Sequence, residues 1–497
     1  MFKFPIIVIW IREEISILHH LRNRYYRHHS QETCIAYTTP RQFVDLFVKE
    51  HRAVQWDNFL KQCKVNDNNY FWEFTARHYQ SSTPRIKGIT TASGVITDPA
   101  CIVGELHPHY QEHFRLPIEK LSPAAQQQIG MDYEYFCTLH ENFPEEKPLA
   151  TTFKEVSSIL KKLHPKRALD IVQTSNFILK QLPISFTGIL VISFDRLLEK
   201  NLFPNWAKIA RMFCNTKSNA YPRKNDLRPI SILNAIGKVY EKVLHPKYHT
   251  WLKENKIIPH QQSGFQANIR LQTRVLSVYE EARQCIATNR PGLILFVDFV
   301  SAFDKVWHKA LLVKLARFHL PSRLWLWLRS WLSDRSAYVS FGGSESDVFN
   351  IEWGLPQGSV ISPLIYIPYI ADLVEIKEPV RKDNFFADDW SLFFSVPYGL
   401  SFSTSCTLLQ RQGQEAFDKI HVYCEYWLVE LSVTKTVAML IHSQIQVPSL
   451  KLIYNGHEIK FVNKFTDLGY LITSKLGLGQ FLNLQCSQIF SSFRIVS

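Results

Sequence analysis

The sequence predicts an α+β fold, in which helices with one apolar face surround a small set of buried strands. Two strand signals carry this prediction: residues 293–297 form an unbroken apolar run, and residues 384–394 consist of two apolar arms around a tight turn. A third observation is the helical spacing of apolar residues in other segments, such as residues 271–287. We therefore expect a mixed fold with a sizeable core.

Length and charge narrow the class of protein. With 497 residues the chain is long enough for about three domains. Its formal net charge is +13 and its sequence pI is near 9.2, so a polyanionic partner such as nucleic acid is plausible.

The cysteines and the first residues indicate where the protein works. Nine cysteines are scattered along the chain, with neither a Cys-x-x-Cys pair nor a Cys/His cluster of zinc-ligand spacing. Dispersed thiols are typical of a reducing compartment. The apolar start of the chain is short and has no cleavage site. We expect an intracellular protein of the cytoplasm or nucleus, neither secreted nor held in a membrane.

The first 150 residues predict a mostly helical extension. Residues 15–30 have helical spacing and a basic, aromatic face, which either lies on nucleic acid or is simply solvated. Residues 41–80 are also helix-like, and residues 81–104 are turn-rich, predicting a loop with short strands.

A second unit is expected to begin near Thr151. Thr152 can cap a helix, with Glu155 three residues later. The patterns beyond it predict helices over 177–198, 234–254, 271–287 and 407–426, and strands over 293–297, 437–442 and 467–471.

A basic loop follows the first helices of this unit. Lys217 and Arg228 flank a polar, turn-prone stretch, so we expect a hairpin with cationic arms. Lys and the forked guanidinium of Arg suit a triphosphate, although a basic loop is also commonly just solvated.

Three acids give the clearest chemical signal. Asp298 ends the buried run, and Asp388 and Asp389 lie at the tip of the hairpin, with the rigid loop 354–359 between them in sequence. Adjacent like charges suggest a cation, although a solvated Asp-Asp turn is the plainer alternative. The layout matches a phosphoryl-transfer site with two Mg²⁺ ions roughly 3.5–4 Å apart, in which Mn²⁺ is a possible substitute.

Several short motifs in this order resemble one family, the reverse transcriptases of non-long-terminal-repeat, LINE-type and jockey-like retrotransposons. The motifs that carry the resemblance lie at residues 203–206, 227–231, 237–242, 262–265, 297–308, 354–364, 386–389, 434–436 and 468–469. The resemblance covers residues 150–476 and is fainter over residues 40–120.

The resemblance implies a right-hand polymerase with fingers, palm and thumb. In that family Asp298, Asp388 and Asp389 correspond to the palm carboxylates that hold metal. Phe303 corresponds to a bulky gate against the ribose 2′-hydroxyl, and its alternative is a core ring under a helix starting at Asp304. Gln357 corresponds to a residue that contacts the incoming nucleotide.

Further positions acquire expected roles in the same way. Lys217 and Arg228 match fingers residues that meet the triphosphate. Lys435 matches a lysine that protonates pyrophosphate, and Leu468-Gly469 match the primer grip. The resemblance implies template RNA, primer DNA and deoxynucleoside triphosphates as partners.

The expected domains follow from the resemblance. They are a helical extension over 1–150, fingers and the entry to the palm over 151–292, the palm with its acids over 293–404, and the end of the palm with a truncated thumb over 405–497. The reverse transcriptase domain itself is expected over about 196–476. The family usually has an upstream endonuclease, which the first forty residues do not supply, and a longer carboxyl-terminal region.

Some residues depart from the family pattern. Residues 166–170 lack a typical Lys-Ala-Pro-Gly segment, and Ser301, Gln266 and Ser432 stand where Lys, Arg and Asn are common. Pro368 falls inside an expected helix, at a cost of about 3 kcal/mol unless the helix bends. The alternative hypothesis is therefore an inactive, nucleic-acid-binding relic with the same fold.

Overall fold

The structure is a computed structural model. It describes residues 7–44, 46, 50, 54, 86–142, 147–216, 219–266, 269, 271–375 and 381–476. The chain divides into two compact units, Met1–Ser82 and Thr83–Ser497. The boundaries expected for fingers, palm and thumb stay a prediction.

The first unit is helical in its described part. Helix α1 spans Ile7–His28, and residues 31–44 are also helical. The Tyr25 and Tyr37 rings stack at 6.2 Å between centroids, so the two helical stretches pack together. Arg22, Arg24 and Arg27 are exposed, so the predicted basic face is present.

Several helices of the second unit begin at a capping side chain. Thr152 accepts a hydrogen bond from the Glu155 amide, as predicted. The helices described in the second unit are α2 Pro99–His113, α3 Pro123–Glu141, α4 Phe153–Lys162, α5 Asn176–Gln181, α6 Ile184–Glu199, α7 Ala235–Glu254, α8 Leu271–Ala287, α9 His308–Arg317, α10 Ser322–Leu332, α11 Ser362–Ile370 and α12 Phe402–Trp427.

The strands are mostly short. They are β1 Ile89–Thr91, β2 Gly94–Ile96, β3 Ile209–Thr216, β4 Leu227–Ile232, β5 Gly292–Val297, β6 Arg335–Phe341, β7 Ser344–Glu345, β8 Phe349–Ile351, β9 Arg381–Phe386, β10 Asp389–Ser395, β11 Val437–Ile441, β12 Ile453–Tyr454, β13 His457–Glu458, β14 Lys460–Phe461, β15 Lys464–Asp467 and β16 Tyr470–Thr473.

The central sheet has the strand order β14-β11-β5-β10-β9. Strand β5 lies in the middle and pairs antiparallel with both β10 and β11. Every residue of β5 is buried, because helix α12 covers one face of the sheet and helix α8 the other. A strand covered on both faces needs a continuous apolar run, which is the pattern that predicted it.

The strands of a second sheet come from before and after β5 in the sequence. Its order is β4-β3-β6-β7, and β8 also pairs with β6. Strands β3 and β4 form the hairpin predicted around the basic loop. Apolar residues from β3, β6 and helix α2 form a separate core cluster under this sheet.

Several sequence predictions are confirmed and others are wrong. Helices α7 and α8, strand β5 and the hairpin β9–β10 lie where they were expected. The helix predicted over 177–198 is broken in two, because Pro183 has no amide hydrogen to donate. Helix α2 begins inside the predicted loop over 81–104, where Asp98 caps it. The expected helix over 41–80 lies mostly outside the described residues.

Two more predictions near the site need correction. The strand expected over 467–471 is instead a hairpin, β15–β16, with Leu468 and Gly469 in its turn at φ of +50° and +85°. The helix that follows β5 begins at His308 and not at Asp304. Pro368 does lie inside α11, and the chain passes into a 3₁₀ turn, Ala371–Glu375, directly after that helix.

Two further findings concern the described part of the chain. No helix there is both long enough and apolar enough to cross a membrane. Each cysteine that the structure describes is a free thiol.

Candidate active site

The central sheet places Asp298 at the end of its most buried strand. Asp298 follows β5 directly, and its side chain is 35% exposed, so it opens to solvent from a buried backbone. The backbone is held on the β11 side, where the Asp298 amide donates to Thr436 Oγ1 at 3.2 Å and its carbonyl accepts from the Ser432 amide at 2.8 Å. These two hydrogen bonds fix the backbone from which the Asp298 carboxylate projects.

The hairpin brings the second and third acids to the same edge. Its turn has two residues, Ala387 and Asp388, and Asp389 begins β10. The last ladder pair of β5 and β10 is Trp390 with Val297, so one residue further Asp389 stands opposite Asp298. Directly opposed residues on antiparallel strands point to the same face. The sheet register thus brings together acids that lie about ninety residues apart in sequence.

A buried amide, Gln262, holds the turn of this hairpin. Its Oε1 accepts from the Ala387 amide at 2.9 Å, and its Nε2 donates to the Ala387 carbonyl at 3.0 Å. Gln262 is 2% exposed. Ala387 has φ of +58°, a left-handed conformation that costs a non-glycine residue about 1 kcal/mol or more. The sequence marked Gln262 only as part of a family motif.

Lys435 lies beside Asp298. Its Nζ is 3.4 Å from Asp298 Oδ2, and the Lys435 side chain is 69% exposed. The same Oδ2 atom is buried and accepts no hydrogen bond from the described residues, although the Lys435 ammonium lies within ion-pair distance. An acceptor in that state needs a cation or a polar ligand to offset its lost hydration.

A fourth acid, Asp467, faces this group and was missed by sequence reasoning. Burial and, to a smaller extent, the Asp389 charge raise the pKa of Asp467 to about 7. Asp467 ends β15, and Phe465 of that strand stacks on Phe296 of β5 at 4.5 Å. No local pattern marks Asp467, because only the packing of β15 on the central sheet brings it near Asp389. The turn Leu468-Gly469 follows it directly.

The loop 354–359 packs against the turn that follows Asp298. The Leu355 amide donates to the Phe303 carbonyl at 2.7 Å, and Gln357 Nε2 donates to Asp304 Oδ1 at 2.8 Å. His113 of α2 approaches the other oxygen of that carboxylate at 3.4 Å. The predicted gate and the predicted nucleotide contact, Phe303 and Gln357, therefore belong to one packed unit.

Phe303 is partly buried between two other rings. It stacks on Tyr366 with 4.5 Å between ring centroids and meets Phe265 edge-on at 6.2 Å. Burial and the nearby charge of Asp388 raise the pKa of Tyr366 well above its usual value, which places the Tyr366 ring near the acids.

The structure describes one of the two residues predicted to meet the triphosphate. Arg228 lies exposed on β4, three residues before Ser231, whose amide donates to the Gln357 carbonyl at 2.9 Å. The strand that carries Arg228 is thus joined to the loop that carries Gln357. Lys217 lies outside the described residues.

The acids do not form a ready-made metal cage. Within the described ranges, no three His, Cys, Asp or Glu side chains are grouped as a metal-binding cluster. Magnesium commonly takes one or two carboxylates and completes its shell with water and substrate phosphates, so the opposed carboxylates of Asp298 and Asp389 fit such a site. A cavity of about 790 Å³ lies elsewhere, lined by residues such as Phe203, Lys208 and Arg329 and by none of these acids.

Comparison with known proteins shows which family this chain belongs to. Residues 216–469, about half of the chain, match the family described as reverse transcriptase (RNA-dependent DNA polymerase). The chain is 27% identical over 436 residues to the RNA-directed DNA polymerase from mobile element jockey of Drosophila melanogaster, covering 86% of this chain and 46% of the relative.

Two other relatives are similar. The jockey polymerase of Drosophila funebris is 25% identical over 86% of this chain and 46% of its own length. The probable RNA-directed DNA polymerase from transposon BS of Drosophila melanogaster is 27% identical over 57% of this chain and 31% of its own length. The chain thus spans less than half the length of these relatives. The family match covers β4 to β15 and all four acids, and the chain belongs to the reverse transcriptase (RNA-dependent DNA polymerase) family.

Proposed function

We propose that this chain is an RNA-directed DNA polymerase of a jockey-like retrotransposon, which adds deoxynucleotides to a primer 3′-hydroxyl on an RNA template. Family membership supports the activity, and the printed names of the relatives support the type of element. The observation that carries the proposal is the opposition of Asp298 and Asp389 across β5 and β10, with a buried Asp298 Oδ2 that accepts no hydrogen bond from the described residues.

Asp298, Asp388 and Asp389 are the residues that would hold divalent metal, with Mg²⁺ preferred for its oxygen ligands. Two bound ions supply charge neutralisation of the phosphates and activation of the attacking hydroxyl. A fourth nearby acid, Asp467, adds to the crowding of carboxylates that such ions would relieve.

The other residues bind and orient substrate in this proposal. Phe303 excludes a 2′-hydroxyl, and the Gln357 amide, oriented by Asp304, meets the incoming nucleotide. Arg228 and Lys217 neutralise the triphosphate. Lys435 donates a proton to the leaving pyrophosphate from its position 3.4 Å from Asp298.

The larger organisation is part of the same proposal. The central sheet serves as the palm, the hairpin β3–β4 belongs to the fingers, and the Leu468-Gly469 turn serves as the primer grip beside Asp467. Template RNA, primer DNA and deoxynucleoside triphosphates are the expected partners. An intracellular setting, in the cytoplasm or nucleus, rests on the free thiols of the described cysteines.

Primer extension on an RNA template tests this function. With Mg²⁺ present, Asp388→Asn should lower extension by at least about a thousandfold while template-primer binding is retained, because the substitution removes a negative charge at constant shape. Asp347→Asn, which changes an exposed acid away from the site, is the matched control and should extend like the parent. Equal activity of Asp388→Asn and the parent would contradict the metal role of the hairpin acids.

A second candidate is the inactive relic that binds nucleic acid without extending it. Pro368 inside α11, the helix that follows the loop 354–359, favours this candidate, since it removes a backbone hydrogen bond there. A parent protein that binds template-primer and extends nothing under any metal condition would establish the relic.

A further inference from the structure

Two buried side chains in the segment from α7 to the turn at Gly264 contact different parts of the candidate site. Glu241 of α7 contacts the loop that carries Gln357, and Gln262 contacts the hairpin that carries Asp388. Both side chains are 2% exposed, and neither is one of the acids or cations of the chemical step.

Glu241 uses both of its carboxylate oxygens. Oε2 accepts from Ser359 Oγ at 2.8 Å and from the Val360 amide at 2.7 Å, and Oε1 accepts from Trp331 Nε1 at 2.9 Å. Arg335, itself 2% exposed, supplies compensating charge: burial lowers the pKa of Arg335 to about 10, and the Glu241 charge opposes that effect. A buried carboxylate with this many donors is held in one orientation.

Ser359 links Glu241 to the start of α11 by hydrogen bonds. Its Oγ accepts from the amides of Ile361 and Ser362 at 3.1 and 3.3 Å, so its own hydrogen is directed to Glu241. On the other side of the loop, the Gln357 carbonyl accepts from the Ser231 amide at 2.9 Å. Glu241 and Ser231 thus hold the loop on either side of Gly358.

At Gly358 the backbone of the loop closely approaches the backbone of β4. Gly358 has φ of +134°, and a Cβ there would lie 2.4 Å from the Ser231 carbonyl oxygen. The loop therefore packs directly on β4 at Gly358, and the Glu241 contacts hold it immediately after that residue.

Gln262 acts in the same way on the hairpin. Its Oε1 accepts from the amides of Ala387 and Gly264, and its Nε2 donates to the Ala387 carbonyl. The backbone of the same segment pairs with the hairpin, because the Ser263 amide donates to the Phe385 carbonyl at 2.9 Å. The side-chain amide therefore completes a strand-like pairing at the residue before Asp388.

We infer that Glu241 and Gln262 are positioning residues with separable tasks: Glu241 sets the nucleotide-contacting loop and Gln262 sets the hairpin acids. This inference rests on the proposed polymerase function for its kinetic readout. Its structural readout, the protection of single backbone amides, does not depend on activity.

The two isosteric variants Glu241→Gln and Gln262→Glu test the inference. An amide at 241 offers one acceptor oxygen for three donors, and a carboxylate at 262 places an oxygen against the Ala387 carbonyl. Asp170→Asn is the matched control. Asp170 is a buried acid that caps α7 through the Ala235 amide at 2.7 Å, and none of its hydrogen bonds within the described residues reaches the loop or the hairpin.

Steady-state kinetics per active site, counted by burst amplitude, should separate the variants. Glu241→Gln should raise KM for deoxynucleotide about tenfold with kcat within about threefold of the parent. Gln262→Glu should lower kcat about tenfold or more and raise the Mg²⁺ concentration for half-maximal rate, with little change in nucleotide KM. Asp170→Asn should change only the active fraction.

Hydrogen exchange supplies the readout that an inactive protein would still give. Exchange should accelerate at the Val360 amide in Glu241→Gln only, and at the Ala387 amide in Gln262→Glu only. If both variants behave like Asp170→Asn in exchange and in kinetics per active site, Glu241 and Gln262 merely stabilise the fold. If the parent extends no primer but the exchange pattern holds, the polymerase proposal fails and the positioning geometry stands.

Discussion

At the scale of single residues, we propose that the ring of Phe303 selects the sugar of the incoming nucleotide. Phe303→Ala should admit ribonucleotides, raising their incorporation relative to deoxynucleotides about tenfold or more, because the ring that meets a 2′-hydroxyl is gone. Competing incorporation of matched ribo- and deoxynucleotides on one template measures the ratio.

A control substitution is needed because Phe303→Ala also removes packing contacts. Phe303 stacks on Tyr366, so the variant should also lose about 3 kcal/mol of stability. Phe318→Ala removes another partly buried ring from the same core and should cost stability without changing sugar selection. If selection in Phe303→Ala equals that of the parent, Phe303 is a core residue and the gate lies elsewhere.

At the scale of elements, the hairpin and the 262–264 turn depend on a close backbone approach. A Cβ on Gly264 would lie 2.2 Å from the Ala387 nitrogen. Because that neighbour is backbone, it cannot rotate away as a side chain can. Gly264→Ala should therefore destabilise the protein by about 2 kcal/mol or more and lower extension with it.

Gly130→Ala provides the comparison, since Gly130 lies inside α3 and a Cβ there meets nothing within 4 Å. That variant should gain about 0.5–1 kcal/mol, because alanine loses less entropy than glycine on entering a helix. Urea unfolding of both variants gives the values. A Gly264→Ala protein as stable as the parent would mean that the hairpin can shift freely.

The start of α9 gives the fold a dependence on pH. His308 bonds to the Gly354 carbonyl through Nε2 at 2.7 Å, and burial lowers the pKa of His308 from 6.5 to about 4. Between those values the unfolded chain binds a proton that the folded chain does not. Stability should therefore fall as pH falls from about 6.5 to 4, with His308 contributing roughly 1–2 kcal/mol of the loss by pH 5.

Comparison of the parent with His308→Gln isolates this contribution. Glutamine keeps a donor for Gly354 and cannot titrate. Urea unfolding at pH 7 and pH 5 should show a smaller loss in the variant, and equal losses in the two proteins would exclude His308 as the titrating group.

At the scale of the whole molecule, the net charge of +13 should govern nucleic-acid binding. Affinity for an RNA–DNA duplex should fall by roughly 10³ or more between 50 mM and 200 mM salt, because each cationic contact releases counterions. Fluorescence anisotropy at several salt concentrations gives the slope. A flat response would argue against an electrostatic channel, and it would do so equally for an enzyme and for a relic.

Much of the fold was predictable because its signals are local. The buried run of β5, the two arms of the hairpin and the Thr152 cap each depend on residues close in sequence. Helix α2 and the split between α5 and α6 were missed, since the turn-rich composition before α2 and the apolar pattern across Pro183 outweighed one capping residue and one proline.

The sequence by itself determined the chemistry of this protein: which acids stand at the ends of apolar strands, and in what order the motifs follow. The tertiary structure decided what surrounds those acids, namely Gln262 on the hairpin, Glu241 on the loop and Asp467 beside Asp389. Residue type and short-range spacing are written into local sequence. Packing and strand register decide which group a buried polar side chain meets. Gln262 and Glu241 meet partners that lie more than a hundred residues away in sequence, so no local pattern marks them.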